Sequence, residues 1–192
     1  MEALLVSTLV VAVSEIGDKT QLLAILLATR FRRPVPIILG ILCATIANHL
    51  LAATAGYFLS GLMSGAWFKW LIAVSFLAMA AWALIPDKID DGEERKSDSR
   101  WGAFLTTLVA FFLVEIGDKT QVATLALAAR FHTIVLVAMG TTIGMMIADV
   151  PAVLLGEAAT KIVPLKYVRW GTAVIFAVLG VWALAKAVGL AR

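Results

Sequence analysis

Apolar residues do not alternate with polar ones along this chain. They run in six long stretches, roughly 3–30, 35–60, 66–85, 101–130, 133–157 and 167–189. A bilayer core asks for about 20 mainly apolar residues per helix, and each stretch is long enough. The lack of alternation excludes the strands of a β-barrel. The pattern therefore predicts an all-α integral membrane protein with six transmembrane helices. The first stretch lacks a basic start, carries Glu2 and recurs later in the chain, so it reads as a permanent span rather than a cleaved signal. Composition agrees: 61% of residues are hydrophobic and 15% charged, against usual values of about 45–50% and about 25%, and mean hydropathy is +0.96.

The recurrence organises the chain. A shift of 100 residues superposes Glu15-Ile16-Gly17-Asp18-Lys19-Thr20-Gln21 on Glu115-Ile116-Gly117-Asp118-Lys119-Thr120-Gln121. The same ungapped shift matches Arg30-Phe31 with Arg130-Phe131, Gly40 with Gly140, Gly56 with Gly156, and Trp82-Ala83-Leu84 with Trp182-Ala183-Leu184, giving 24 identities over 92 aligned positions. Seven consecutive, mostly polar matches are beyond what apolar bias produces, so the chain is an internal duplication. Its expected divisions are a first three-helix repeat at 1–85, a hydrophilic cytoplasmic loop at 86–100, and a second repeat at 101–192. Three spans per repeat is an odd number. The second repeat must then enter the bilayer from the opposite side, which gives two inverted three-helix repeats.

Charge placement adds orientation. Of 29 Asp, Glu, Lys and Arg residues, ten lie between Asp87 and Arg100, and seven lie inside apolar stretches. The remainder sit at stretch ends. No face carries a basic stripe, so a pI near 9.2 is no argument for a nucleic-acid partner. With the two motif lysines left out, the side holding the first, third and fifth loops carries ten Lys and Arg against four on the other. That bias predicts a cytoplasmic central loop with both termini outside. The tryptophans fall mostly near span ends, as interfacial anchors do. One cysteine, Cys43, excludes an internal disulfide and a cysteine metal cluster.

Six charged residues lie at the middle of the first and fourth stretches: Glu15, Asp18, Lys19, Glu115, Asp118 and Lys119. Each costs at least about 2.5–3.5 kcal/mol at a bilayer centre, too much to be incidental. On a helical wheel Glu15, Asp18 and Gln21 share a face with Ser14, while Thr20 points away. A straight 28-residue helix would be about 42 Å long against a core of about 30 Å. Either tilt or a break at Gly17 and Gly117 absorbs the excess, and a break would free backbone carbonyls as ligands. Inversion would bring both motifs to the midplane as one site of four carboxylates and two ammonium groups, formally −2. One divalent cation or two protons would neutralise it. Hard oxygen ligands suit Ca²⁺, Mn²⁺ or Mg²⁺ over Zn²⁺ or Cu⁺. The plain alternative is a structural pair at i,i+4 in each motif, Glu15 with Lys19 and Glu115 with Lys119. Asn48 and His49 superpose on Ala148 and Asp149. Asp149 is either a ligand or proton acceptor, or a turn or cap ahead of Pro151. His49 reads first as a packing histidine, Met145 and Met146 as core filling, and Arg30 and Arg130 as interface anchors.

The paired Glu-x-Gly-Asp-Lys-Thr motif in a small duplicated six-span protein resembles the cation:proton exchanger family called calcium:proton antiporter-2. That family includes bacterial manganese exporters and relatives in Golgi and chloroplast membranes, and the resemblance covers nearly the whole chain. It implies export of Mn²⁺, or exchange of Ca²⁺ and Mn²⁺ for protons, with Glu15, Asp18, Glu115 and Asp118 as the metal site. Lys19, Thr20, Gln21, Lys119, Thr120 and Gln121 would be supporting neighbours, with Asn48, His49 and Asp149 as weaker candidates. It also implies a bacterial plasma-membrane location, the metal ion and protons as substrates, the lipid bilayer as surroundings, and no cofactor. A homo-oligomer is left open. Competing readings are a passive divalent-cation channel and an exporter of small organic cations, although no aromatic walls flank the motifs. An enzyme is disfavoured. Intramembrane aspartyl proteases carry Gly-x-Gly-Asp where this chain has Glu15 or Glu115, and no phosphate-binding loop supports a pump.

Overall fold

The computed structural model describes residues 1–62, 66–84, 100–155 and 165–189. These residues form eight α-helices and no strand: α1 (Glu2–Glu15), α2 (Lys19–Phe31), α3 (Pro34–Leu62), α4 (Ala66–Ala83), α5 (Arg100–Glu115), α6 (Lys119–Phe131), α7 (Ile134–Leu155) and α8 (Leu165–Ala187). The second four follow the first four at a shift close to 100 residues, and the likeness extends to single caps. Both α2 and α6 end on a left-handed residue, Arg32 and His132, whose N–H donates to the Ala28 and Ala128 carbonyls at 2.9 Å. The first and fourth apolar stretches are therefore broken and not merely tilted. Gly17 and Gly117, at φ +79° and +76°, occupy backbone that a side chain disfavours. The stretch at 86–99, expected to be a loop, lies outside the described residues.

The two copies interleave. α1 packs along α7, and α5 along α3, so the first helix of each copy lies on the long helix of the other. Glycines make this possible: a Cβ on Gly140 would stand 2.6 Å from the Leu4 carbonyl oxygen, and one on Gly40 would stand 2.8 Å from the Thr107 Cβ. Backbones approach this closely where helices associate without a water-driven force. α4 pairs with α8 through Phe76 and Phe176, whose ring centroids are 6.4 Å apart. That pair lies against α6 and α1. α6 is consequently the deepest helix, with Ala126 and Leu127 buried, whereas Leu26 at the matching place on α2 is 52% exposed.

The polarity of the molecule is reversed relative to a water-soluble bundle. Buried positions include Ser7, Thr45, Asn48, His49, Thr107, Thr124, Thr141 and Asp149, and the outside carries apolar stripes at four-residue spacing. Leu105, Val109 and Leu113 form one on α5; Val135, Met139, Ile143 and Ile147 form another on α7. Apolar surface of this extent would be unstable in water and is what hydrocarbon accepts. Two helices, Pro34–Gly61 and Ile134–Leu155, are each long and apolar enough to cross a membrane.

Candidate functional site

Each seven-residue motif folds as a helix break. Glu15 and Glu115 close α1 and α5, and their carbonyls accept the Asp18 and Asp118 N–H groups at 3.1 and 3.0 Å. The glycine supplies the positive φ. Asp18 and Asp118 then take extended backbone as the N-caps of α2 and α6. The Asp118 carboxylate accepts from the Thr120 N–H at 3.4 Å and from its hydroxyl at 3.1 Å, which satisfies donors left open at a helix start. Gln21 and Gln121 reach back so that Oε1 accepts the Gly17 and Gly117 N–H at 2.7 Å. Thr20, expected to point away, is buried. A helical wheel drawn through Glu15 to Lys19 fails because no helix is continuous there. The signal for Thr20 and Gln21 lay in reading the motif as a cap.

The lysines cross between copies. Lys19 Nζ lies 2.9 Å from Asp118 Oδ1, and Lys119 Nζ lies 2.8 Å from Asp18 Oδ1. The expected i,i+4 pairs are therefore replaced by two reciprocal ion pairs that join the motifs. The arrangement brings the breaks face to face in the interior. It is not evenly enclosed: the Lys19 side chain is 27% exposed and that of Lys119 only 5%.

The glutamates differ more. Asn48 Nδ2 donates to Glu115 Oε2 at 3.1 Å and to the Phe112 carbonyl at 3.0 Å. The Thr45 hydroxyl bridges Glu115 Oε1 at 3.1 Å and Met145 Sδ at 2.9 Å. Thr45 is a site residue that the sequence reading passed over; its only signal was a hydroxyl one turn before Asn48 in an apolar stretch. Glu15 is fully buried, and neither carboxylate oxygen has a hydrogen-bond partner. Asp149 is equally buried with both oxygens unpartnered. It lies within α7, which runs through Pro151 to Leu155, so it is neither a turn nor a cap. His49 is buried, with Nδ1 3.5 Å from the Thr142 hydroxyl and Nε2 unpartnered. Met145 is fully buried and Cys43 exposed. Arg130 does more than anchor, since its guanidinium lies 3.4 Å from the Trp182 ring centroid.

Glu15, Asp18, Glu115, Asp118 and Asp149 offer hard oxygens only. Among the described residues, no three His, Cys, Asp or Glu side chains stand close enough to hold a metal ion together. Each motif aspartate instead holds the ammonium group of the opposite copy.

Comparison with known proteins accords with this chemistry. A protein of Vibrio cholerae named "Putative manganese exporter" is 50% identical over 177 residues, covering 92% of this chain and 87% of that one. "GDT1-like protein 5" of Arabidopsis thaliana is 27% identical over 207 residues, covering 89% of this chain and 90% of its own. "GDT1-like protein 3" of Oryza sativa subsp. indica is 29% identical over 186 residues, covering 84% and 66%. No solved structure matches the chain significantly. The family model described as divalent cation/proton antiporter GDT1 matches residues 3–91 and again 103–190, and the chain belongs to that family of membrane transporters.

Proposed function

We propose that this chain exports a divalent cation, Mn²⁺ before Ca²⁺, in exchange for protons, through one site built by both motifs. The observation that carries the reading is the reciprocal pair Lys19–Asp118 and Lys119–Asp18, which ties the two copies into one polar centre. The name of the Vibrio cholerae relative favours manganese. In this reading α1 with α2, α3, α4, α5 with α6, α7 and α8 make six spans. The repeats 1–85 and 101–192 are inverted, the loop 86–100 is cytoplasmic, and both termini lie outside a bacterial plasma membrane. No cofactor and no enzyme activity belong to it.

The four motif acids less the two lysines leave a formal −2. One divalent ion or two protons balance that charge, so the two occupants exclude one another. An inverted repeat then exposes the site to either side in turn. Metal leaves in one orientation and protons enter in the other.

The test is transport by Glu15→Gln and Glu115→Gln. Among the described residues neither glutamate holds an ion pair, so each change removes charge without stranding a lysine. Each variant is expected to stay folded and to lose metal transport by about 10-fold or more. Asp18→Asn and Asp118→Asn should lose transport too, with a cost in stability. Full transport after neutralising either motif would exclude the single shared site.

A further inference from the structure

The duplication makes a comparison within one molecule possible, and it shows that the two halves of the site are not equivalent. Thr45, Asn48 and His49 on α3 have Met145, Ala148 and Asp149 as their partners on α7 under the shift of 100. Glu115 faces the first set and receives two donors from it. In the corresponding set on α7 the donors are replaced by a thioether, a methyl group and another carboxylate.

Two observations place Asp149 beside Glu15. α1 and α7 run parallel in close register, with Gly140 against Leu4 and Gly144 against Thr8, which carries Glu15 to the turn of α7 that contains Asp149. Gln21 Nε2, six residues after Glu15, donates to the Ala148 carbonyl at 3.2 Å.

Neither carboxylate has a donor. Glu15 Oε1 and Oε2 and Asp149 Oδ1 and Oδ2 are buried without a hydrogen-bond donor. Asn48, anchored to Glu115 through Nδ2, keeps Oδ1 buried and without a donor as well. Buried acceptors without donors carry a penalty that further packing cannot remove. A cation removes it, and a hard divalent cation matches all-oxygen ligands. We propose that Asp149, which has no counterpart in the repeated motif, is a direct cation ligand together with Glu15, so that the ion is held on the α1–α7 side of the site. With Asp149 counted, five acids face two lysines and the formal charge is −3.

This proposal rests on the divalent-cation reading, and its test separates the two. Purified Asp149→Asn, Asp149→Glu and Glu15→Gln are compared with wild type by Mn²⁺-dependent thermal unfolding in detergent. Asp149→Asn should melt at or above wild type without metal, because it removes a buried carboxylate that nothing in the fold satisfies. Its Mn²⁺ dissociation constant should rise by about 10-fold or more, and Asp149→Glu should recover part of the loss. A structural acid would behave in the opposite way, with lower melting and unchanged affinity. If Asp149→Asn binds Mn²⁺ within about twofold of wild type while Glu15→Gln does not, Asp149 is no ligand and the motif site stands alone. If neither variant changes binding, the divalent-cation reading fails with it.

Discussion

Replacing Lys119 by methionine tests the charge balance at the centre of the protein. Lys119 and Asp18 are almost fully enclosed, with side-chain exposures of 5% and 3%. Removing one member of a buried pair leaves an uncompensated charge and typically costs about 3–5 kcal/mol. For a chain of this size each kcal/mol shifts the melting temperature by about 2–4 °C, so Lys119→Met should melt roughly 10 °C lower. Lys19→Met should cost less than half as much. Its side chain is 27% exposed, and Asp118 keeps the Thr120 N–H and hydroxyl as donors. The distinguishing readout is metal rescue. If the ammonium group stands where the transported cation goes, Mn²⁺ should stabilise Lys119→Met more than wild type. Saturation at 100 times the dissociation constant is worth about 2.7 kcal/mol. Tryptophan fluorescence melts with and without Mn²⁺ measure both effects. Equal losses for the two lysines, or a Lys119→Met protein that Mn²⁺ stabilises less than wild type, would refute the argument.

Two further outcomes follow from the helix breaks and from the charge bias. Gly117→Ala meets no atom within 4 Å, so any effect comes from φ +76° alone; a loss of roughly 1–2 kcal/mol is expected in the melt. A variant as stable as wild type would mean the break does not need that backbone. In a Cys43→Ala background, Ser97→Cys should react with a membrane-impermeant thiol reagent only from the cytoplasmic side, and labelling of intact cells would reverse the orientation.

The helical class, the duplication and the motif were legible because they depend on composition and on identity at a fixed offset. The breaks at Gly17 and Gly117 were legible only as one of two ways to fit 28 residues into a bilayer, since length alone does not separate tilt from interruption. The exchange of lysines between copies was not legible. Spacing favoured Glu15 with Lys19 within one helix, and only the φ values that end α1 at Glu15 turn Lys19 toward Asp118. Asp149 was ambiguous for a similar reason. A following proline usually ends a helix, whereas α7 continues through Pro151 because its packing on α1 and α3 outweighs the lost N–H donor. The contrast between Glu115 and Glu15 required coordinates, because donors such as Thr45 lie 70 residues away in sequence.

The central claim, that metal and protons share one set of carboxylates, is tested most directly in proteoliposomes holding a pH-sensitive dye. Mn²⁺ added outside should drive proton release from the lumen as it enters. Glu115→Gln should abolish that release. Apparent metal affinity should fall as pH is lowered, because protons then occupy the oxygens the metal needs. Mn²⁺ uptake with no proton movement and with an affinity independent of pH would contradict exchange at a shared site and leave a passive cation pathway in its place.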